Sequence, residues 1–186
     1  ASGLIPTTAT EYVFTFAEPA IGIVTVAWDT GHGIQDQATT PNTFGGGTWT
    51  YRLDPNAPEQ PPYISEFMAS NTRTWTDETG EYPDWIEIFN PSGTALDLDG
   101  WFLSDSRGNL TKWRFPTTNV SSGGFLVVFA SGNDRRIAGA PLHTSFQLGA
   151  DGEYLALVRP DGVTVVSEFT PAFPRQLPDV SHGVIQ

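Results

Sequence analysis

Fifteen residues, TDETGEYPDWIEIFN (76–90), hold five carboxylates: Asp77, Glu78, Glu81, Asp84 and Glu87. Three kinds of chemistry call for such a density. Calcium takes roughly six to eight oxygen ligands, and Asn71, Asp77, Thr79, Glu81 and Asp84 could contribute them, with Gly80 allowing a sharp turn. The spacing is not that of the EF-hand loop, where ligands alternate and a bidentate Glu closes the loop. A glycosidase needs an acid and a base about 5 to 9.5 Å apart across a cleft. Glu66 and Glu87, on two different strand-like runs, are the pair that could face each other. The third reading is a solvated loop, since charge on the loops of an acidic protein keeps it soluble. The residues favour the solvated loop, keep calcium as the alternative, and assign no catalytic residue.

Other chemistry-bearing residues lead less far. Asp29-Thr30-Gly31 is the tripeptide that carries the carboxylate of aspartic proteases, but those enzymes pair two such carboxylates around one proton, and this chain has one. His32, between glycines, reads as a turn residue. His143 and His182 lie far from it and from each other, without the paired spacing of a zinc site. The run SSGG (121–124) precedes a strand and lacks the glycine on both sides of a nucleophilic serine. Among the six tryptophans, Trp75 stands in the polar stretch NTRTWTDE and is the candidate contact residue, either exposed or anchoring its loop. Trp85, Trp101 and Trp113 fall in strand-like runs and are expected to pack the interior.

The elements that would position these residues are strands. No long stretch shows helical apolar spacing, whereas short alternating or apolar runs recur after residue 62. They are YISEFMA (63–69), DWIEIFN (84–90), GWFLSD (100–105), KWRFP (112–116), GFLVVFA (124–130), EYLALVR (153–159) and VTVVSEF (163–169). Turns at Ser92-Gly93, Asp99-Gly100, Asp151-Gly152 and Asp161-Gly162 separate them. Seven short strands punctuated this way predict an all-β, immunoglobulin-like antiparallel β-sandwich. FLVVFA is apolar throughout and is expected to be covered on both faces. In DWIEIFN, alternation puts Glu87 on the face of Trp85 and Phe89, either at the sheet rim or paired with an arginine, for which Arg114 is a candidate.

Before residue 58, EYVFTFAE (11–18), IGIVTVAW (21–28) and GTWTYRLD (47–54) also alternate, but so few strands cannot close a sandwich. The expected organisation is a partial β segment at 1–57, which resembles the end of an immunoglobulin-like module, a Pro-rich linker at 58–63, the main domain at 63–170 and a C-terminal linker at 171–186.

Composition narrows the function classes. The 186 residues contain no cysteine, which removes disulfides, thiolate metal sites and cysteine nucleophiles. A formal net charge of −12, with Lys112 as the only lysine, argues against nucleic-acid binding, which rests on clustered Lys and Arg. No apolar run is long enough to insert in a membrane as a helix.

The ordered set YISEFMASN, PDWIEIFNPSGTALDLDGWFLSD, LTKWRFP, VSSGGFLVVFASG and GEYLALVRPDG, spanning about Tyr63 to Phe169, resembles the lamin tail domain. The features that carry the likeness are a strand ending in Asn-Pro, a Gly-Trp strand opening, an aromatic-Pro turn and a Gly-rich entry to an apolar strand. The acidic DETGEYPDWIEI is similar to the bacterial branch of that family. The resemblance implies a non-enzymatic module of a secreted or cell-surface bacterial protein, serving scaffolding, adhesion or domain positioning. It implies that this chain is part of a longer polypeptide, with neighbouring domains and surface protein or glycan as partners. No cofactor is required; calcium is the one candidate.

Overall fold

The computed structural model describes residues 3–6, 12–15, 20–28, 31, 33–36, 38–54 and 60–184. Asp29, Thr30 and His32 lie outside the described residues. Among those described there is no helix, and so none long and apolar enough to cross a membrane. The chain divides into two compact units, residues 1–58 and 59–186.

Among the described residues, the first unit shows four strands in two antiparallel pairs. β1 (Gly3–Pro6) pairs with β2 (Tyr12–Thr15), and β3 (Gly22–Ala27) with β4 (Thr48–Leu53). Along β3 half-buried Val24 and Val26 alternate with exposed Ile23 and Thr25, and Trp49 and Tyr51 of β4 are also exposed. A two-stranded ribbon buries little apolar surface by itself.

The second unit contains β5 (Tyr63–Met68), β6 (Asp84–Phe89), β7 (Leu96–Asp97), β8 (Phe102–Ser104), β9 (Trp113–Arg114) and β10 (Asn119–Val120). It continues with β11 (Phe125–Ala130), β12 (Leu142–His143), β13 (Leu155–Val158), β14 (Val165–Phe169) and β15 (His182–Gly183). One sheet has the order β12-β11-β6-β5-β15 and the other β14-β13-β8-β9, with β7 and β10 forming a small separate pair. Ile64, Phe67, Ile86, Ile88 and Val128 of the first sheet share one core with Leu103, Trp113, Leu155 and Leu157 of the second. This is the immunoglobulin-like sandwich that the strand pattern predicts.

Two local features depart from simple alternation. The β5–β6 register shifts between Ile64 and Glu66, so Ile64 and Phe67, three residues apart, both reach the core while Met68 joins the opposite face. A bulge of one residue does this by letting two residues oppose one. FLVVFA is central, flanked by β6 and β12, but only its second half is buried: Phe125 is 60% exposed. That half is covered on both faces, Val128 and Ala130 by the main core and Phe129 by a cluster with Met68 and Trp85, and β13 is buried along all four of its residues. The reason is packing order, because β13 lies under both the main core and a second cluster of Tyr154, Phe102 and Val165.

Residues 171–186 are expected as a linker, yet the described part of this stretch, through Val184, docks on the sandwich. Phe173 is 2% exposed and packs on Phe67, with ring centroids 4.7 Å apart. The Phe173 N–H donates to the Glu153 carbonyl at 2.9 Å, and Gln176 N–H donates to Ala150 O at 2.7 Å. The chain then pairs as β15 with the edge of β5, at His182 against Phe67 and Gly183 against Glu66. An open edge of unpaired N–H and C=O groups is thereby shortened.

Candidate functional site

The acidic loop between β5 and β6 is built around Asn71, which is 6% exposed. Its side-chain amide donates to the carbonyls of Trp75 (2.6 Å) and Pro83 (2.8 Å). Its Oδ1 accepts the N–H groups of Thr74 and Trp75, and its own N–H donates to Asp84 Oδ1 at 3.0 Å. One buried amide thus satisfies both ends of the loop, as a buried polar group must be satisfied. Asp77 ties the tip. Its Oδ1 accepts the Thr79 N–H (2.8 Å), the Thr79 hydroxyl (2.7 Å) and the Glu81 N–H (3.1 Å).

These contacts set the charges. Burial alone would raise the Asp77 carboxyl, but the Thr79 and Glu81 donors and nearby His143 outweigh it and hold the group below its ordinary value. Asp84 goes the other way. Burial pushes its carboxyl up to about 6, against the Asn71 N–H, and Glu153 adds repulsion. Of the residues expected to form a calcium shell, Asn71 and Asp84 therefore bind each other, Asp77 and Thr79 bind each other, and Glu81 shares Asp77 through its N–H.

The fold assembles a different group. Among the described residues, Asp77, Glu78 and His143 are the one set of three carboxylate or imidazole groups whose ligand atoms all lie within 4.8 Å of one another. His143, on β12, is 2% exposed and packs its ring on Phe129 at 5.2 Å. Its Nδ1 is 2.9 Å from Ser131 Oγ and its Nε2 is 3.2 Å from Glu78 Oε2. Arg135 forms an ion pair with the other oxygen of Glu78. Burial lowers the His143 pKa; Asp77 opposes that shift and Arg135 adds to it. Sequence spacing argues against a zinc site because His143 is distant from the other histidines. The partners it actually meets are carboxylates from a loop 65 residues away. The acidic density of 77–78 was the legible half of that signal.

Trp75 is at once exposed and anchored in its loop. It remains 45% exposed, yet its ring stacks edge-on against Trp85 at 5.6 Å and Phe129 at 6.2 Å. Trp101 and Trp113 pack the main core, whereas Trp85 is buried in a separate cluster with Met68 and Phe129 on the other side of the sheet. Glu66 and Glu87 are register partners on adjacent strands, side by side on a sheet. Glu87 accepts the Ser65 hydroxyl at 2.7 Å rather than pairing with Arg114. Arg114 pairs with Asp99 at 3.4 Å, because β9 belongs to the opposite sheet from β6. The concavity lined by Thr117, Asn119, Val127 and Leu142 includes neither Glu66 nor Glu87.

The model of the family described as Lamin Tail Domain matches residues 55–171, more than half of the chain. The chain belongs to the lamin tail domain family. No curated protein matches it. Lamin tail domains are a non-catalytic, immunoglobulin-like family, and the motifs singled out in the sequence fall on its structural joints. Asn90, at the Asn-Pro strand end, is 1% exposed and donates to the carbonyls of Thr94, Val120 and Ser121. Trp101, after the Gly100 turn, caps the core.

Proposed function

We propose that this chain is a non-catalytic interaction module of a bacterial secreted or cell-surface protein, positioning neighbouring domains and contacting protein or glycan through Trp75. The observation that carries this reading is the Trp75 ledge. A half-exposed indole is seated on buried Trp85 and Phe129, and its carbonyl is strapped by the Asn71 amide. An aromatic already held in place loses little freedom on binding and offers a large apolar face beside polar groups. The net charge of −12 favours a solvated surface and turns away polyanions. Paired carboxylates on an open sheet, one of them tied to Ser65, offer no cleft in which an acid and a base could work on a substrate.

The test is retention of labelled chain on intact bacterial cells and on isolated cell-wall polysaccharide, comparing wild type with Trp75→Ala. The expected result is a loss of retention of at least about fivefold, the scale of an interfacial aromatic anchor. Equal retention of the two proteins sinks the ledge as a contact surface and leaves a spacer between domains.

A further inference from the structure

We propose that Asp77, Glu78 and His143 form a binding site for a divalent transition-metal ion of the zinc type. Two carboxylates from a loop tip meet one imidazole from β12, with their ligand atoms within 4.8 Å of one another. Donors on a tetrahedral zinc ion stand about 3.3 Å apart, given bonds of about 2.0–2.1 Å. The His143 Nε2 to Glu78 Oε2 separation, 3.2 Å, already has that value. The remaining approach is at most about 1.5 Å, in the loop tip that carries Asp77 and Glu78.

The supporting contacts leave the right atoms free. Asp77 uses Oδ1 for Thr79 and Glu81, and among the described residues Oδ2 accepts no hydrogen bond. His143 engages Ser131 through Nδ1, and Ser131 Oγ is itself held by the Asn133 N–H at 3.1 Å. With Nδ1–H donated to that oxygen, the Nε2 lone pair is presented to the carboxylates. Glu78 gives one oxygen to Arg135 and turns the other toward His143. Orientation of each ligand by an outer partner is what a metal site requires. The imidazole reaches the cluster from a separate segment and is almost wholly buried, so it is not one more charge on a solvated loop.

The donor set selects the ion. An imidazole nitrogen with two carboxylate oxygens suits zinc and its neighbours, whereas calcium requires roughly six to eight oxygens. The Glu78 side chain, 28% exposed, leaves a path by which an ion could enter. The bound ion would join the tip of the Asn71–Asp84 loop to β12. This site stands whatever Trp75 contacts.

The test uses the whole chain, stripped with chelator and exchanged into chelator-free buffer, and zinc as the probe. Calorimetric titration is expected to give one zinc per chain, and cobalt in its place the visible absorption of a four-coordinate ion. Glu78→Gln, at a partly exposed position, is expected to weaken zinc binding at least about tenfold while the apo melting temperature changes little. His143→Gln is expected to abolish binding, and His182→Gln to leave it unchanged. Arg135→Ala, by removing a competing cation, is expected to tighten it. Absence of stoichiometric zinc binding, binding undiminished by Glu78→Gln, or equal stabilisation by calcium would each overturn the proposal.

Discussion

Asp179 and Thr72, 107 residues apart, are joined by two hydrogen bonds: the Thr72 N–H donates to Asp179 Oδ1 at 2.8 Å and its hydroxyl to Oδ2 at 2.6 Å. The same carboxylate accepts the Arg73 N–H and the Thr74 hydroxyl. One acidic group from the C-terminal stretch therefore caps the start of the acidic loop. These donors, Thr72 first, hold its carboxyl down at about 2.

A carboxyl depressed in the folded state contributes stability above the unfolded value, near 4, and loses it as pH falls toward 2. Asp179→Ala is expected to lower the melting temperature by several degrees at pH 7, with the difference from wild type shrinking between pH 4 and pH 2. Asp179→Asn keeps an acceptor and tolerates the positive φ of 60° at this residue, so its loss is smaller. Equal losses from both variants would count against the cap.

Asp84 has the opposite sign. Its folded carboxyl, pushed up to about 6, favours the protonated form, so its contribution is full below about pH 3.8 and is lost as pH rises through 6. Asp84→Asn keeps an acceptor for the Asn71 N–H and removes the charge facing Glu153. It is expected to stabilise the fold by about 1 kcal/mol at pH 8, after allowance for solvent screening, and to change little at pH 4. Urea melts at the two pH values measure it.

Asn90 bonds three carbonyls through its amide and receives the N–H and hydroxyl of Ser92 on Oδ1. Asn90→Ala strands several of those groups at a site 1% exposed and is expected to cost about 2–4 kcal/mol in denaturant melts. A loss under 1 kcal/mol would show that water replaces the amide.

Gly152 has φ of 98°, and a Cβ there would stand 2.2 Å from the Phe173 carbonyl oxygen. Gly152→Ala is expected to cost about 2–4 kcal/mol and to lift the segment around Phe173 from the sandwich. Faster tryptic cleavage after Arg175 than in wild type reports that release; unchanged cleavage argues that the segment is held elsewhere.

The strands of the second unit were legible where apolar residues alternate or run together: β5, β6, β8, β9, β11, β13 and β14 all fall within the runs read from the sequence. The two-residue strands β7, β10, β12 and β15 were not, since two residues carry no period and owe their extension to the strand beside them. The C-terminal stretch looked like a linker because PAFPRQLPDV is rich in proline and polar residues. Its hold on the sandwich comes from the rings of Phe173 and His182 on Phe67, from the Asp179 carboxylate on Thr72, Arg73 and Thr74, and from backbone hydrogen bonds that any sequence can make.

By itself, the sequence determined the all-β class, the sandwich, the family likeness and the location of the acidic loop, because hydrophobic periodicity and turn residues act locally along the chain. Only the tertiary structure decided which charges meet. A bulge of one residue in β5 chose which side chains of that strand enter the core, and docking of the last residues supplied Asp179. The placement of β12 beside β11 brought His143 to Asp77 and Glu78. Such meetings depend on strand order and on contacts across 65 residues or more, and no local pattern encodes them.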